Sequence, residues 1–263
     1  ATTDGVSSTL PVPVNGTISY YESDYTGFSL YQSPTYDLTD INDYNDVLFN
    51  TQEHIKHANI EVLTTLTEDR YTFPFVDHPT TYEIGTSTGS GFIFMEDESS
   101  YYAVTNFHVV NPEEYDATYE ILAYNDEGYH PAELFAFDED LDLAVLKFDK
   151  LDRDEIEFIN IYERLYHKFN IGEMVLAVGN PYSLINTVTF GELQSMDTIS
   201  NVDFKVIHHD ALIKEGSSGG ALVDVDGNLL GVNTWGLDST EVYSFSIPNY
   251  IVYMFLVNNG VLG

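Results

Sequence analysis

From Ile60 onward, apolar residues stand in short runs or alternate with polar residues, and turn-forming residues separate one run from the next. Alternation with a period of two is the pattern of a strand with one buried face, and a short apolar run between turns fits a fully buried strand. Such a succession is typical of a barrel or a sandwich, so the pattern predicts an all-β fold with enough strands for two six-stranded antiparallel barrels. The strand candidates are residues 60–63, 91–94, 101–105, 117–124, 143–148, 174–178, 187–193, 203–207, 220–225, 229–233 and 242–246.

The chain before this region has a different pattern. Residues 1 to about 43 are rich in Thr, Ser, Tyr, Asp and Pro without a sustained period, which indicates an extended arm. Residues 43–58 repeat apolar positions at roughly helical spacing, and Asp43 or Asn45 can serve as the N-cap. We therefore expect an N-terminal extension that ends in a short helix.

Two further segments complete the predicted organisation. Residues 149–170 are polar and fit a connection between barrels, whereas residues 248–258 open with Pro248 before a mostly apolar stretch, which suits a closing C-terminal helix. The predicted bounds are 1–58 for the acidic arm with its helix, 59–263 for the main domain, about 59–150 and 170–248 for its barrels, and 248–258 for the closing helix.

The charge of the chain excludes several classes of partner. Among 263 residues, 9 Lys and Arg stand against 43 Asp and Glu, for a formal net charge of −34. Nucleic acids and anionic lipids are bound through Lys and Arg, so we expect neither as a partner. The same negative field attracts cationic protein segments. The 43% hydrophobic and 14% aromatic fractions exclude a disordered chain despite this charge.

Cysteine is absent, which excludes disulfides, a Cys nucleophile and thiolate metal sites. No run approaches the roughly 20 apolar residues that a membrane helix needs, so we expect no membrane span. The sequence opens at Ala1 without Met, which fits a processed mature chain. We therefore expect a secreted or cell-surface protein, of bacterial origin.

The strongest chemical signal is Gly216-Ser217-Ser218-Gly219-Gly220, which runs directly into an apolar segment. A nucleophilic Ser needs small neighbours, so that a carbonyl can reach it, and free backbone N–H groups that face the developing oxyanion. Glycines on both sides meet these needs. An ordinary tight turn before a strand has the same composition, so this motif alone leaves both interpretations open.

A His and an Asp occupy positions that complement this Ser. His108 lies at the end of an apolar segment, and Asp142 stands where an acidic loop enters another apolar segment. A carboxylate beside a buried strand is costly unless it is paired, and a His N–H is a suitable partner. A core or surface His and a solvated acidic loop are the simpler alternatives. Their joint occurrence in the order His, Asp, Ser favours a catalytic triad.

Several blocks of the sequence resemble trypsin-like proteases of the HtrA group, which includes DegP and DegS. The resemblance covers about residues 60–258, and its blocks are Gly89-Ser90-Gly91-Phe92-Ile93, Val104-Thr105-Asn106-Phe107-His108-Val109, Asp142-Leu143-Ala144-Val145-Leu146-Lys147, Ala177-Val178-Gly179-Asn180-Pro181, Asp210-Ala211-Leu212-Ile213, Gly216 to Leu222, Leu230-Gly231-Val232-Asn233-Thr234 and Phe245-Ser246-Ile247-Pro248. The resemblance implies the two-barrel chymotrypsin fold, serine endopeptidase activity on proteins or peptides through an acyl-enzyme, and no cofactor.

The resemblance also implies roles for individual residues. His108 would be the general base, Asp142 its orienting carboxylate and Ser218 the nucleophile. Backbone N–H groups of Gly216 and Ser218 would form the oxyanion hole, with Ser217 on the same loop.

The same resemblance places the first specificity pocket. Leu212 and Ile213 would line it on one side, with Thr234, Trp235 and Gly236 on the other, and the Thr234 hydroxyl would support the catalytic Asp. With no Asp at the pocket base, we expect cleavage after small to medium apolar residues. Acidic preference is the competing possibility, but Asn233 and Thr234 stand where a carboxylate-binding His would be needed.

The sequence departs from the family pattern in two respects. Ser217 replaces the usual Asn before the nucleophile, and Ala221 replaces the usual Pro after the glycines; both are small enough to keep the turn. Since the sequence ends near the closing helix, we expect none of the PDZ domains that follow the protease in most HtrA proteins. Trimer assembly and peptide-triggered activation are therefore not implied, and the oligomeric state stays open.

Two other hypotheses accompany that of a protease. The pairs His54 with His57 and His208 with His209 lack the remaining ligands of a zinc site, so we predict no metal. A protein with this fold can also be a latent binding protein, if its oxyanion loop is collapsed, or a surface adhesin that binds through its Tyr-rich arm. Reaction with a fluorophosphonate distinguishes an assembled triad from a latent one.

Overall fold

A computed structural model describes residues 29–30, 41–71, 79–111, 116–152, 155–165, 167–200, 202–238 and 242–263. The predicted arm over residues 1 to about 43 lies almost wholly outside these ranges. Strand β1 (Ser29–Leu30) belongs to it and pairs in parallel with a two-residue strand, His167–Lys168, in the connection between the barrels. Helix α1 (Ile41–Ala58) then leads directly into the first barrel.

The first barrel is a closed sheet of six antiparallel strands in the order β2-β3-β4-β7-β6-β5. The one-turn helix α2 (Phe107–Val110) follows β4 and covers the barrel. The strands of this barrel are β2 (Asn59–Arg70), β3 (Thr80–Glu96), β4 (Ser100–Thr105), β5 (Asp116–Ala123), β6 (His130–Asp138) and β7 (Leu143–Asp149).

The second barrel is also closed, in the order β10-β11-β14-β13-β12-β9. With His167–Lys168 numbered β8, its strands are β9 (Met174–Gly179), β10 (Thr187–Asp197), β11 (Val206–His209), β12 (Ala221–Val223), β13 (Leu229–Asp238) and β14 (Val242–Pro248). Helix α3 (Asn249–Asn258) follows β14 and packs with buried side chains along most of its length. The prediction of two six-stranded antiparallel barrels followed by a C-terminal helix is confirmed.

Strand β6 is the one barrel strand that the sequence pattern did not predict. Its apolar side chains do not keep to one face, because Phe135 and Phe137 are exposed whereas Leu134 and Ala136 are only partly buried. Pro131 near its start also argues against a strand. The pattern likewise underestimated β2 and β3, whose polar outer halves pair with each other from Leu63–Thr88 to Arg70–Thr80.

Both barrels and both long helices share one continuous core. It contains Ile55 of α1, Val104 of the first barrel, Val178 of the second barrel and Phe255 of α3. Arg164 anchors the connection between the barrels, because its fully buried guanidinium pairs with Glu173 and Asp224, each at 3.0 Å. The connection is therefore tied to the second barrel, and the shared core joins the two barrels. Within the described ranges, no helix is long and apolar enough to cross a membrane.

Candidate active site

The His108 and Asp142 side chains contact each other directly. Helix α2 buries Phe107, Val109 and Val110, which turns the His108 side chain outward with 49% exposure. Asp142 ends the turn before β7 with a φ of 54°, a left-handed conformation that Asp tolerates better than most residues. The Asp142 carboxylate accepts the His108 backbone N–H on Oδ1 at 2.9 Å and the ring Nδ1 on Oδ2 at 2.8 Å.

This double contact determines which nitrogen of the His108 ring carries the proton and how the ring is oriented. An ionised carboxylate only accepts hydrogen bonds, so the proton of the neutral ring resides on Nδ1. The lone pair is then on Nε2, the nitrogen on the opposite side of the ring. The backbone contact to Oδ1 adds a second point of attachment, which fixes the angle between carboxylate and ring. His108 is thereby prepared to accept a proton through Nε2.

Ser218 lies in a loop between β11 and β12, residues 214–220, which we call the nucleophile loop. Gly216 and Gly219 adopt φ values of 93° and 89°, where residues with a Cβ are strained. A Cβ on Gly219 would also overlap the Ser90 carbonyl oxygen, and one on Gly216 would lie 2.6 Å from Asn180 O. The glycines are therefore required by the backbone path as well as by access to Ser218.

Hydrogen bonds from inside and outside the nucleophile loop fix its carbonyl groups. Glu215 O accepts from Tyr182 N at 3.1 Å and Ser217 O accepts from Gly220 N at 3.1 Å. Ser90 of β3 supplies two donors: its hydroxyl donates to Gly216 O at 2.6 Å, and its N–H donates to Ser218 O at 2.8 Å. Four consecutive carbonyl directions, from Glu215 to Ser218, are thus determined by hydrogen bonds.

The fixed carbonyls determine where two N–H groups point. In a planar trans peptide the N–H is directed opposite to the preceding C=O. The Gly216 N–H therefore points away from Tyr182, which donates to Glu215 O, and the Ser218 N–H points away from Gly220, which donates to Ser217 O. Neither N–H group donates to an acceptor among the described residues. The Ser217 N–H differs, because it donates to Lys214 O at 2.8 Å and closes the turn. Ser217 thus stabilises the loop, whereas Gly216 and Ser218 offer free donors.

Asn106 joins the two halves of the site and was not identified from the sequence. Its Nδ2 donates to the Asp142 backbone carbonyl at 2.8 Å and to Thr234 Oγ1 at 3.1 Å. Thr234 Oγ1 donates onward to Val232 O, so the expected contact of this hydroxyl with the Asp142 carboxylate is not formed. The available signal was a polar residue two positions before His108 at the end of an apolar strand. Thr234 O in turn accepts the Ser218 hydroxyl at 3.2 Å.

The predicted specificity residues surround one cavity with Ser218 at its edge. This cavity has a volume of about 490 Å³, and its lining includes all of the predicted substrate-binding positions. A Cβ on Gly236 would lie 3.1 Å from Ile213 O, so a side chain there would crowd the opposite wall of the cavity. Sequence reasoning missed Tyr182. The residues that line the cavity are Tyr182, Leu212, Ile213, Lys214, Glu215, Ser218, Thr234, Trp235 and Gly236.

A buried polar network around Asn233 of β13 holds the end of the nucleophile loop. Asn233 N donates to Gly220 O and Asn233 O accepts from Gly219 N, both at 2.8 Å. The Asn233 side chain is fully buried and bonded to Val178 O, Ala221 O and Ser246, so it does not enter the specificity cavity. Ser246 also contacts His209 Nε2 at 3.0 Å, and burial lowers the pKa of His209 to about 3, which keeps this ring neutral.

The other histidines noted in the sequence have separate partners. His54 Nε2 and His57 Nδ1 donate to Phe158 O and Glu155 O, which ties α1 to the connection between the barrels. His208 contacts Ser195 and stacks on Tyr243, with ring centroids 5.3 Å apart. In the part of the chain that the structure describes, no group of three acidic, His or Cys side chains is placed to hold a metal ion.

Residues 89–232 match the family described as the trypsin-like peptidase domain. The serine protease HTRA1 of Xenopus tropicalis is 33% identical over 187 residues, which cover 67% of this chain and 37% of that protein. A probable periplasmic serine endoprotease, DegP-like, of Chlamydia muridarum is 35% identical over 167 residues, covering 61% of this chain and 31% of that protein.

Two solved structures have the same architecture. A serine endoprotease from Yersinia pestis is 30% identical with a TM-score of 0.58, covering 84% of this chain and 65% of that one. The HtrA-type protease AlgW, solved with a decapeptide, is 26% identical with a TM-score of 0.62, covering 81% of this chain and 67% of that one. The chain thus spans 37% of the length of the HTRA1 relative that it matches. Since the family match covers more than half of its residues, the chain belongs to the trypsin-like peptidase family, with relatives among the HtrA and DegP-like serine proteases.

Proposed function

We propose that this chain hydrolyses peptide bonds in protein substrates with Ser218 as nucleophile, His108 as general base and Asp142 as orienting carboxylate. The observation that carries the proposal is the two-point contact between His108 and Asp142, linked through Asn106 and Thr234 to a loop that leaves the N–H groups of Gly216 and Ser218 free. A structural His–Asp pair needs no such loop. Together they provide a base, a nucleophile and donors for developing negative charge.

The reaction follows from these positions. His108 Nε2 takes the proton of Ser218 Oγ while Oγ bonds to the substrate carbonyl carbon, and the carbonyl π electrons move to the oxygen. The N–H groups of Gly216 and Ser218 stabilise this oxyanion. When the tetrahedral intermediate collapses, the C–N bond breaks and His108 gives its proton to the leaving amine. Water then attacks the acyl-enzyme ester, with His108 again acting as base and then acid, and Ser218 is regenerated.

The specificity cavity supports cleavage after small to medium apolar residues. Leu212, Ile213 and Trp235 give it apolar walls, and Gly236 leaves room for a side chain between them. Lys214 and Glu215 also line the cavity with opposite charges, and the Lys214 ammonium lies 6.0 Å from the Tyr182 ring centroid. An apolar residue needs no charged partner inside the cavity, whereas a substrate cation would meet both the Glu215 carboxylate and the Lys214 ammonium, whose effects oppose each other.

One observation favours the alternative of a latent protease-fold binding protein. The Ser218 hydroxyl donates to Thr234 O rather than to His108. The free N–H groups of the nucleophile loop favour the enzyme instead, because a latent loop would turn a carbonyl into the oxyanion position. The Ser218 hydroxyl is only partly buried and can rotate about χ1, and catalytic hydrogen bonds often form only in the substrate complex.

The decisive experiment is digestion of a mixed peptide library and of a denatured protein by wild type, Ser218→Ala and Ser217→Ala. We expect Ser218→Ala to lose activity by on the order of 10⁴-fold, with an unchanged thermal midpoint. Ser217→Ala loses only the contact from Lys214 N to its hydroxyl and should retain substantial activity. Full activity of Ser218→Ala would refute the proposal, and dominant cleavage after Arg, Lys or Glu would refute the proposed preference.

The surroundings in which the enzyme acts are part of the same proposal. A relative described as periplasmic supports action outside the cytoplasm. The net charge of −34 favours substrates with cationic segments near the scissile bond, since they gain from the negative field of the enzyme. Salt screens such steering, so the proposed preference for cationic flanks should weaken as ionic strength rises.

A further inference from the structure

Ser90 is a fully buried side chain of the first barrel, and the proposed reaction assigns it no role. It lies in β3 between Gly89 and Gly91, on the wall that faces the nucleophile loop. We propose that Ser90 is a positioning residue: through the Gly216 carbonyl it holds the peptide between Gly216 and Ser217, which lies between the two oxyanion donors. This inference rests on the proposed function, because it concerns the loop that carries Ser218.

The hydrogen bonds around the Ser90 hydroxyl give its proton one direction. A hydroxyl has one proton to donate and two lone pairs that can accept. The lone pairs are taken by Asn180 N at 2.8 Å and Asn180 Nδ2 at 3.2 Å. The proton is therefore committed to Gly216 O, at 2.6 Å. A chain of aligned donors runs from Asn180 through Ser90 to Gly216, and such alignment strengthens each bond.

The position of Asn180 is itself fixed by the first barrel. Its Oδ1 accepts from Asn59 Nδ2 at 3.0 Å, and its Nδ2 donates to Ile60 O at 2.8 Å. Asn59 and Ile60 open β2, whereas Asn180 follows β9 of the second barrel. Through Asn180 and Ser90, hydrogen bonds therefore connect the contact between the two barrels to the nucleophile loop.

Gly216 is the residue whose conformation most needs this support. Its φ of 93° is accessible because it has no Cβ, and the same feature lets its peptide groups rotate at low cost. The contact from Tyr182 fixes the peptide before Gly216, and the contact from Ser90 fixes the peptide after it. Loss of the Ser90 hydroxyl would leave the second peptide held only through the Ser217 N–H, which donates to Lys214 O, and would leave the Gly216 carbonyl oxygen without its donor.

Ser90 would orient the nucleophile loop and would take no part in the reaction itself. Its hydroxyl is fully enclosed and committed to the protein, so it cannot touch the substrate. A merely structural Ser would affect stability, whereas a positioning Ser would also affect the stabilisation of the oxyanion. The two roles therefore differ in their effect on kcat and on tetrahedral adducts.

The test compares Ser90→Ala with wild type, Ser218→Ala and Thr51→Val. Thr51 is a matched control, because its buried hydroxyl also donates to a backbone carbonyl of another element, Val225 O, at 2.6 Å. For Ser90→Ala we expect kcat to fall about 10- to 100-fold with little change in KM, less than the loss from deleting an oxyanion donor outright. Thr51→Val should lower the thermal midpoint while kcat stays within about 2-fold.

A second measurement, of inhibition constants, remains valid even if part of the Ser90→Ala protein does not fold. In Ser90→Ala the inhibition constant of a peptide boronic acid, which forms a tetrahedral adduct, should rise by the same factor by which kcat falls. The inhibition constant of the matching peptide alcohol should not change. Both constants describe only the folded fraction. Wild-type kcat and boronate affinity in Ser90→Ala would overturn the positioning role, as would equal losses in Thr51→Val. Full activity of Ser218→Ala would instead overturn the proposed function itself.

Discussion

The two barrels contribute to the site in different ways. The first barrel supplies the proposed base and its carboxylate, since His108 and Asp142 contact each other directly through two hydrogen bonds. The second barrel supplies a backbone arrangement, in which consecutive carbonyls are tied down so that two N–H groups stay free. Only one reactive side chain, Ser218, is proposed there.

This difference predicts different responses to mutation. A side-chain contact such as that of Asp142 depends on one group and can be removed without disturbing the fold. A backbone arrangement depends on several residues that never meet the substrate, and on glycines that permit the path. Damage to the first barrel should therefore appear in kcat, whereas damage to the second should appear in both stability and kcat.

The largest expected effect comes from Asp142→Asn in the first barrel. An amide at this position can donate to the ring and favours the tautomer with the proton on Nε2, which cannot accept the Ser218 proton. We expect kcat to fall by on the order of 10⁴-fold with little change in stability. Glu139→Gln, an exposed substitution in the same turn, is the control and should keep most of the activity. Steady-state kinetics on a peptide substrate measure both.

Gly219→Ala tests the second barrel and should act mainly on stability. A Cβ at this position would meet Ser90 O and Thr105 Oγ1, and φ is 89°. We expect a loss of about 3 kcal/mol or more in the free energy of unfolding, together with loss of activity. Gly172→Ala isolates the conformational part, because φ is 83° and nothing lies within 4 Å of the added Cβ. Its expected cost is about 1–2 kcal/mol. Urea denaturation measures both free energies of unfolding. Equal losses in Gly219→Ala and Gly172→Ala would contradict the proposed overlap of the added Cβ with Ser90 O and Thr105 Oγ1.

A smaller effect should arise from His209 beneath the nucleophile loop. Its pKa of about 3 in the folded protein lies below the roughly 6.5 of an unfolded His, so the unfolded chain binds more protons between these values. Stability is therefore complete above about pH 6.5 and declines as the pH falls. Between pH 7.5 and 5.5 this one group should cost about 1.4 kcal/mol.

The comparison with His209→Gln isolates this effect. Gln keeps a polar atom for Ser246 and does not titrate, so the variant should lose about 1.4 kcal/mol less than wild type between pH 7.5 and 5.5. His130→Gln, at a side chain with 41% exposure, is the control and should keep most of the wild-type dependence. Denaturant unfolding at the two pH values measures the difference, and parallel losses in wild type and His209→Gln would show that His209 titrates normally.

The sequence predicts features that are encoded locally and misses those that depend on distant contacts. Short apolar runs and glycines predicted the two barrels, and local motifs pointed to His108, Asp142 and Ser218. Strand β6 escaped prediction because its aromatic residues face solvent. Ser90 and Asn106 escaped because a polar residue beside a strand shows its role only through partners far along the chain, such as Gly216, which is 126 positions from Ser90.

The most direct test of the proposed triad is labelling with a fluorophosphonate followed by peptide mapping. This reagent reacts only where a base activates the serine and free N–H groups receive the oxyanion. We expect stoichiometric modification of folded wild type at Ser218 alone, none in Ser218→Ala and strongly slowed labelling in Asp142→Asn. Folded wild-type protein that stays unlabelled, or that is labelled at Ser217, would contradict the assignment of an assembled triad.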